Sequence, residues 1–186
     1  MPHIDFKNDL PGIRSAMAFR PETAGPLNQL AQILLRDENG LSRADRELIA
    51  TLVSYRNDCF YCHNSHGEIA CIYLDGDRNL VNQVRQNFET AEISEKLKAL
   101  LNIAAKVQNS GKDVNEADIE RAKKHGASDV EIHDTVLIAA AFCMFNRYVD
   151  GLATYAPTEM DSYPVRAKQI AENGYGTHVY SQNQPK

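Results

Sequence analysis

The chain has 186 residues, 43% hydrophobic and 24% charged, the composition of a globular domain long enough to bury a core. Its formal charge of -5, with no block of Lys and Arg to offset it, argues against nucleic acid or an anionic membrane surface as a partner. The N-terminus carries no apolar run and the longest apolar stretch, Thr135 to Phe145, is too short to span a bilayer, so a cytoplasmic protein is expected.

Helical periodicity runs through the chain. Leu27, Leu30, Ile33 and Leu34 form one apolar stripe, which Gly40 stops. Ser42, with Asp45 three residues later, opens the next helix, whose core side is Leu48, Ile49, Leu52 and Val53. Asn57 and Asp58 are suitable N-caps for a third helix that begins at the cysteines and ends near Tyr73, before the turn Asp75-Gly76-Asp77. Ile93, Leu97, Leu100, Leu101, Ala104 and Val107 again repeat at helical spacing. Asn115 and Asp118 open a short helix that closes at His125-Gly126. Ser128 and Glu131 form a capping box for a long helix through Phe145. That helix is apolar almost all round and is expected to be the buried central one. No strand-like alternation or hairpin signal is present, so the fold expected is an all-α bundle.

A faint internal repeat aligns Leu48-Ile49-Ala50 and Asn57 with Leu137-Ile138-Ala139 and Asn146 at one constant offset. In the second copy Val136, Tyr148, Gly151 and Tyr155 stand where the first has Glu47, Cys59, Cys62 and His66. The composition changes after Ala156, where Tyr163, Tyr175 and Tyr180 are scattered among Gly and polar residues. Residues 1–156 therefore read as the domain, and 157–186 as an extension that packs on a neighbouring subunit.

The chemistry concentrates in Glu47 and the run Asn57-Asp58-Cys59-Phe60-Tyr61-Cys62-His63-Asn64-Ser65-His66. In a cytosolic chain a CxxC pair is redox-active, catalytic or metal-binding rather than part of a disulfide framework. Thiols at i and i+3 at a helix start lie on one face, within reach of a disulfide. The unpaired amides and partial positive charge of the first turn stabilise a thiolate. His66 follows Cys62 by one turn on the same face and can take or pass on its proton, whereas His63 points elsewhere. Glu47 shares a helix face with small Ala50, Thr51 and Ser54, which allows close approach of the cysteine helix. If the two helices fold back antiparallel, Glu47 returns alongside that helix and can hold His66.

Glu47, Cys59, Cys62 and His66 at these offsets resemble the signature of the alkylhydroperoxidase D-like superfamily, which includes the carboxymuconolactone decarboxylases. The stretch Arg46 to Ala50 through Asn57, Tyr61-Cys62 and His66, with Phe145-Asn146-Arg147-Tyr148-Val149-Asp150, is similar to its peroxidase-related branch. The resemblance covers residues 10–156 and is strongest over 42–73. It implies an all-helical bundle assembled as a homotrimer or homohexamer, and a thiol-dependent peroxidase with an antioxidant role. Cys62 would attack the peroxide, Cys59 would resolve the sulfenic acid as a disulfide, and Glu47 and His66 would relay protons. A dithiol donor such as a lipoyl-bearing protein would reset the pair, without metal or flavin. The chain departs from the characterised hydroperoxidase at Tyr61, where the family carries His; a phenol donates rather than accepts a proton at neutral pH.

Other readings are a dithiol-disulfide oxidoreductase, a redox sensor whose disulfide switches an interface, and a lactone decarboxylase, whose chemistry does not depend on a CxxC. A structural zinc site would need four ligands, and no second CxxC is present. Cys59 to His63 also fits c-type haem attachment, which requires export. Cys71 and Cys143 read as core thiols. His125 favours the dipole at a helix end, and Arg147 reads either as an anion-binding residue or, preferred, as a structural ion-pair residue with Asp150 or a neighbouring subunit.

Overall fold

The computed structural model describes residues 1–38 and 40–176. Among them are nine α-helices and a single 3-10 turn, with no strand: α1 (Ile13–Phe19), α2 (Pro21–Arg36), α3 (Arg43–Arg56), α4 (Phe60–Tyr73), α5 (Arg78–Asn87), α6 (Glu95–Asn109), α7 (Glu116–Lys124), α8 (Asp129–Gly151) and α9 (Ser162–Asn173). The all-α expectation holds. No helix among the described residues is long and apolar enough to cross a membrane.

Three of the predicted helix starts are realised by their side chains. Ser42 Oγ accepts from the Asp45 amide at 3.0 Å. Asn115 with Asp118, and Ser128 with Glu131, form complete capping boxes. Gly126 takes the left-handed conformation (φ 87°) that ends α7. The start of α4 differs from expectation. Cys59 itself is the N-cap and no side chain caps the helix. Asn57 instead closes α3, and its side chain turns away into a polar cluster.

The central helix is α3 rather than α8. Leu48, Ile49, Ala50, Leu52 and Val53 are at most 1% exposed, and burying each of the larger ones stabilises the fold by about 2 kcal/mol. The polar side of α3 is buried as well: Arg46, Glu47, Thr51 and Ser54 are all at 0% exposure. It is covered by α4, α5, α6 and α8. By contrast α8 leaves Val130, Leu137 and Met144 exposed. The two helices aligned by the internal repeat pack together, and their matched asparagines meet. Asn57 Nδ2 donates to Asn146 Oδ1 at 2.8 Å.

Helices α1, α5 and α9 had no clear sequence signal. In α5 only Val81 and Val84 are buried, too few to set a period. The described part of the expected extension, residues 157–176, contains α9, which buries Tyr163, Ala167 and Ile170 and packs on α4 of its own chain. Tyr180 and the rest of 177–186 lie outside the described residues.

Candidate active site

The site is built where α4 turns back along α3. Asp58 adopts the left-handed conformation (φ 55°) that an aspartate tolerates, and the Cys59 amide closes the turn on Ser54 O at 3.0 Å. The small face of α3 lets α4 lie close, as the spacing predicts. Gly67 permits a further approach. Arg85 reaches over it to donate to the His63 carbonyl at 2.5 Å, through space that a Cβ would occupy.

Glu47 and His66 are brought together. His66 Nδ1 lies 2.7 Å from Glu47 Oε2, and the carboxylate there holds the proton on Nδ1, leaving Nε2 as the other ring nitrogen for chemistry. Glu47 is fully buried, while the His66 side chain is 15% exposed. Phe142 stands edge-on to the imidazole at 4.6 Å between ring centroids. A small cavity of about 60 Å³ is lined by Cys62, His66 and Tyr175, with Ile13, Phe142 and Phe145 as apolar walls.

Both cysteines of the pair are free thiols, and both are buried. The Cys59 thiol lies beside Cys62 and the Asp150 carboxyl. The neighbouring Cys62 sulfur, followed by burial, pushes the Cys59 thiol far above its usual range. Val149 and Tyr163 pack around the pair.

Tyr61 does not stand in for the family histidine as a base. Burial is the main cause that pushes its phenol up to about 12, with Arg14 and Ser65 acting the other way. It walls the cysteine cavity off from a second one lined by Arg14, Ser65, Tyr163 and Arg166. Gly12, in the left-handed region at φ 57°, passes so close beneath the ring that any Cβ would strike it. His63 points away, as expected. It packs between Tyr55 and Phe60, and burial, then Arg85, lower its pKa to about 4.

Two side chains at the site were not foreseen. Asp150 touches Cys59 but comes from the far end of α8, at no spacing that links it to the CxxC. Tyr175 reaches Glu47 from the other end of the chain; its hydroxyl donates to Glu47 Oε1 at 2.7 Å. The aromatic character of the tail was visible, but not its destination. Of the other polar residues, Asn146 donates to Ser54 Oγ at 3.0 Å. Arg147 is exposed and donates to the Cys143 carbonyl of its own helix at 2.9 Å. Cys71 is buried in the core, but Cys143 is only half-buried, with its sulfur 3.6 Å from Asn57 Nδ2. No group of three or more His, Cys, Asp and Glu among the described residues is arranged to hold a metal ion.

A buried thiol pair beside a carboxylate-held imidazole can lose a proton, attack an electrophilic atom and close to a disulfide. The chain is similar to known proteins in sequence and fold. The profile of the carboxymuconolactone decarboxylase family matches residues 21–71, which hold Glu47, both cysteines and His66. An uncharacterized peroxidase-related protein from Silicibacter sp. TM1040 superposes with a TM-score of 0.74 at 31% identity, over 83% of this chain and 78% of its own. The alkylhydroperoxidase AhpD core of an uncharacterized peroxidase-related protein from Ralstonia eutropha JMP134 superposes with a TM-score of 0.74 at 30% identity, over 81% of this chain and 79% of its own. No curated protein matches the sequence. With its helical bundle and these relatives, the chain belongs to the alkylhydroperoxidase D-like, carboxymuconolactone decarboxylase superfamily.

Proposed function

We propose that the protein is a thiol-dependent peroxidase that reduces a hydroperoxide at Cys62. The observation that carries this reading is the Glu47–His66 pair, 2.7 Å apart, opening on the cavity that holds Cys62. His66 takes the Cys62 proton. The thiolate attacks the peroxide, so that an S–O bond forms, the O–O bond breaks, and the alkoxide leaves as an alcohol with a proton returned through His66. Cys62 is then a sulfenic acid. The Cys59 thiol attacks its sulfur, forming the S–S bond and releasing water. A dithiol donor reduces the disulfide by exchange and is itself oxidised to a disulfide. The cycle needs no metal or flavin. The cavity volume favours a small hydroperoxide. The family resemblance implies a homo-oligomer, a trimer or hexamer, and the exposed Val130, Leu137 and Met144 at seven-residue spacing on α8 are apolar side chains that such an interface could cover.

The test is stopped-flow peroxide consumption by the reduced protein, with thiols counted afterwards. Wild type should lose two thiols per chain, and Cys62→Ser should consume none. Peroxide turnover retained in Cys62→Ser would overturn the reading. A second reading, dithiol-disulfide oxidoreductase, draws support from Tyr61, whose buried phenol cannot act as a base in place of the family histidine. It is the outcome if peroxide leaves the thiols intact while the pair still exchanges with a dithiol.

A further inference from the structure

The geometry points to Tyr175 as a positioning residue that sets the Glu47–His66 pair, delivered to the site by the C-terminal segment. Each oxygen of the buried Glu47 carboxylate has its own donor. Oε2 faces His66 Nδ1 at 2.7 Å, and Oε1 accepts from the Tyr175 hydroxyl at 2.7 Å. The same hydroxyl lies 3.3 Å from His66 Nδ1. The Tyr175 ring is nearly parallel to the imidazole, at 17° and 6.1 Å between centroids, and Phe142 closes the pair from the edge. His66 is thereby fixed in tilt by two aromatic rings and in tautomer by one carboxylate.

The backbone that carries Tyr175 is held on both sides by α2. Its amide donates to Gln32 Oε1 at 2.8 Å. Arg36 donates to the Ile170 and Ala171 carbonyls at 2.6 and 2.9 Å, which ties down the end of α9. Between them Gly174 turns in the left-handed region (φ 82°), where a Cβ would come within 2.4 Å of Gln32 Oε1. The charged and titratable groups that act on the phenol are Glu47, His66, Tyr73 and Arg36. Burial, then Glu47, hold the phenol well above its usual range, so it is a donor at neutral pH. A tyrosine that only filled space would need its ring, not a hydroxyl aimed at a buried carboxylate.

The kinetic arm of the test rests on the peroxidase reading; the spectroscopic arm does not. The full chain is compared as wild type, Tyr175→Phe and Gly174→Ala. Melting temperature, kcat and KM for tert-butyl hydroperoxide with dithiothreitol are measured. So is the downfield proton resonance of the His66 Nδ1–H, assigned by its loss in His66→Gln. Tyr175→Phe keeps the ring and should keep the fold and KM. Its kcat should fall roughly tenfold, the effect of one hydrogen bond to a charged group, and the His66 resonance should move. Gly174→Ala, which displaces the segment without altering the tyrosine, should reproduce both changes, and it decides the matter if Tyr175→Phe does not fold. An unmoved resonance with unchanged kcat would reduce Tyr175 to packing. If wild type turns over no peroxide, the functional reading fails, and the resonance alone decides the role of Tyr175.

Discussion

Cys59 and Cys62 are one helical turn apart, yet their surroundings differ. Cys59 is 0% exposed, and its thiol is held protonated by the neighbouring Cys62 and by burial. Cys62 lines the cavity beside His66. Iodoacetamide should therefore modify Cys62 first and Cys59 only slowly, as mass spectrometry of the partly labelled protein would report; equal labelling would contradict the asymmetry. Under the peroxidase reading, Cys59→Ser should complete a single turnover and leave a sulfenic acid that dimedone traps, where wild type leaves a disulfide. Glu47→Gln keeps the shape of the side chain but removes the charge that orients His66. The rate of peroxide consumption should fall about 10²-fold, with little change in the circular dichroism spectrum. Much of this was legible, because the i, i+3 and i+7 positions of one helix share a face whatever surrounds them.

Between elements, close approach is set by glycines and by partners distant in sequence. Gly67 leaves room for Arg85 to lie across α4 and bond the His63 carbonyl. In Gly67→Ala the guanidinium must move and give up that bond, so urea unfolding should show a loss of about 1–2 kcal/mol; an unchanged midpoint would mean that Arg85 contributes nothing to the α4–α5 packing. The helix caps were readable because a cap is a contact between residues three apart. The role of Asn57 was not. It resembles an N-cap, but its amide bonds Asn146 and accepts from Gln108 Nε2 at 2.8 Å, and those partners are supplied by α8 and α6. For the same reason α8 was overrated as the central helix: its composition is apolar, but only packing decides which face is covered.

Across the whole molecule, acid stability follows from where charges and neutral bases are buried. The His63 pKa, lowered to about 4, compares with about 6.5 for an unfolded histidine. Between those values the unfolded chain binds a proton that the folded chain refuses, so stability falls as pH drops through that window. His63→Phe should flatten the slope there, as thermal melts between pH 7 and 4 would show. At lower pH the carboxylates take over. Burial alone would raise Asp118 and Glu131, but Lys106 and Lys96 with the capping amides outweigh it and hold both below their usual values. Their contribution is complete above about pH 5 and is lost as pH falls through the depressed values, so Asp118→Asn and Glu131→Gln should weaken the acid transition. The helical class, the capped boundaries, the CxxC-to-His66 face and the reach of Glu47 were all present in the chain, because each depends on local period or on two helices joined by a short turn. The burial of α3, the thiol–carboxyl contact of Asp150 and the hydroxyl of Tyr175 on Glu47 were not. Tyr175 lies 128 residues from Glu47, and no local rule links them. They meet because α9 docks on α4 and α2 holds the segment that follows it.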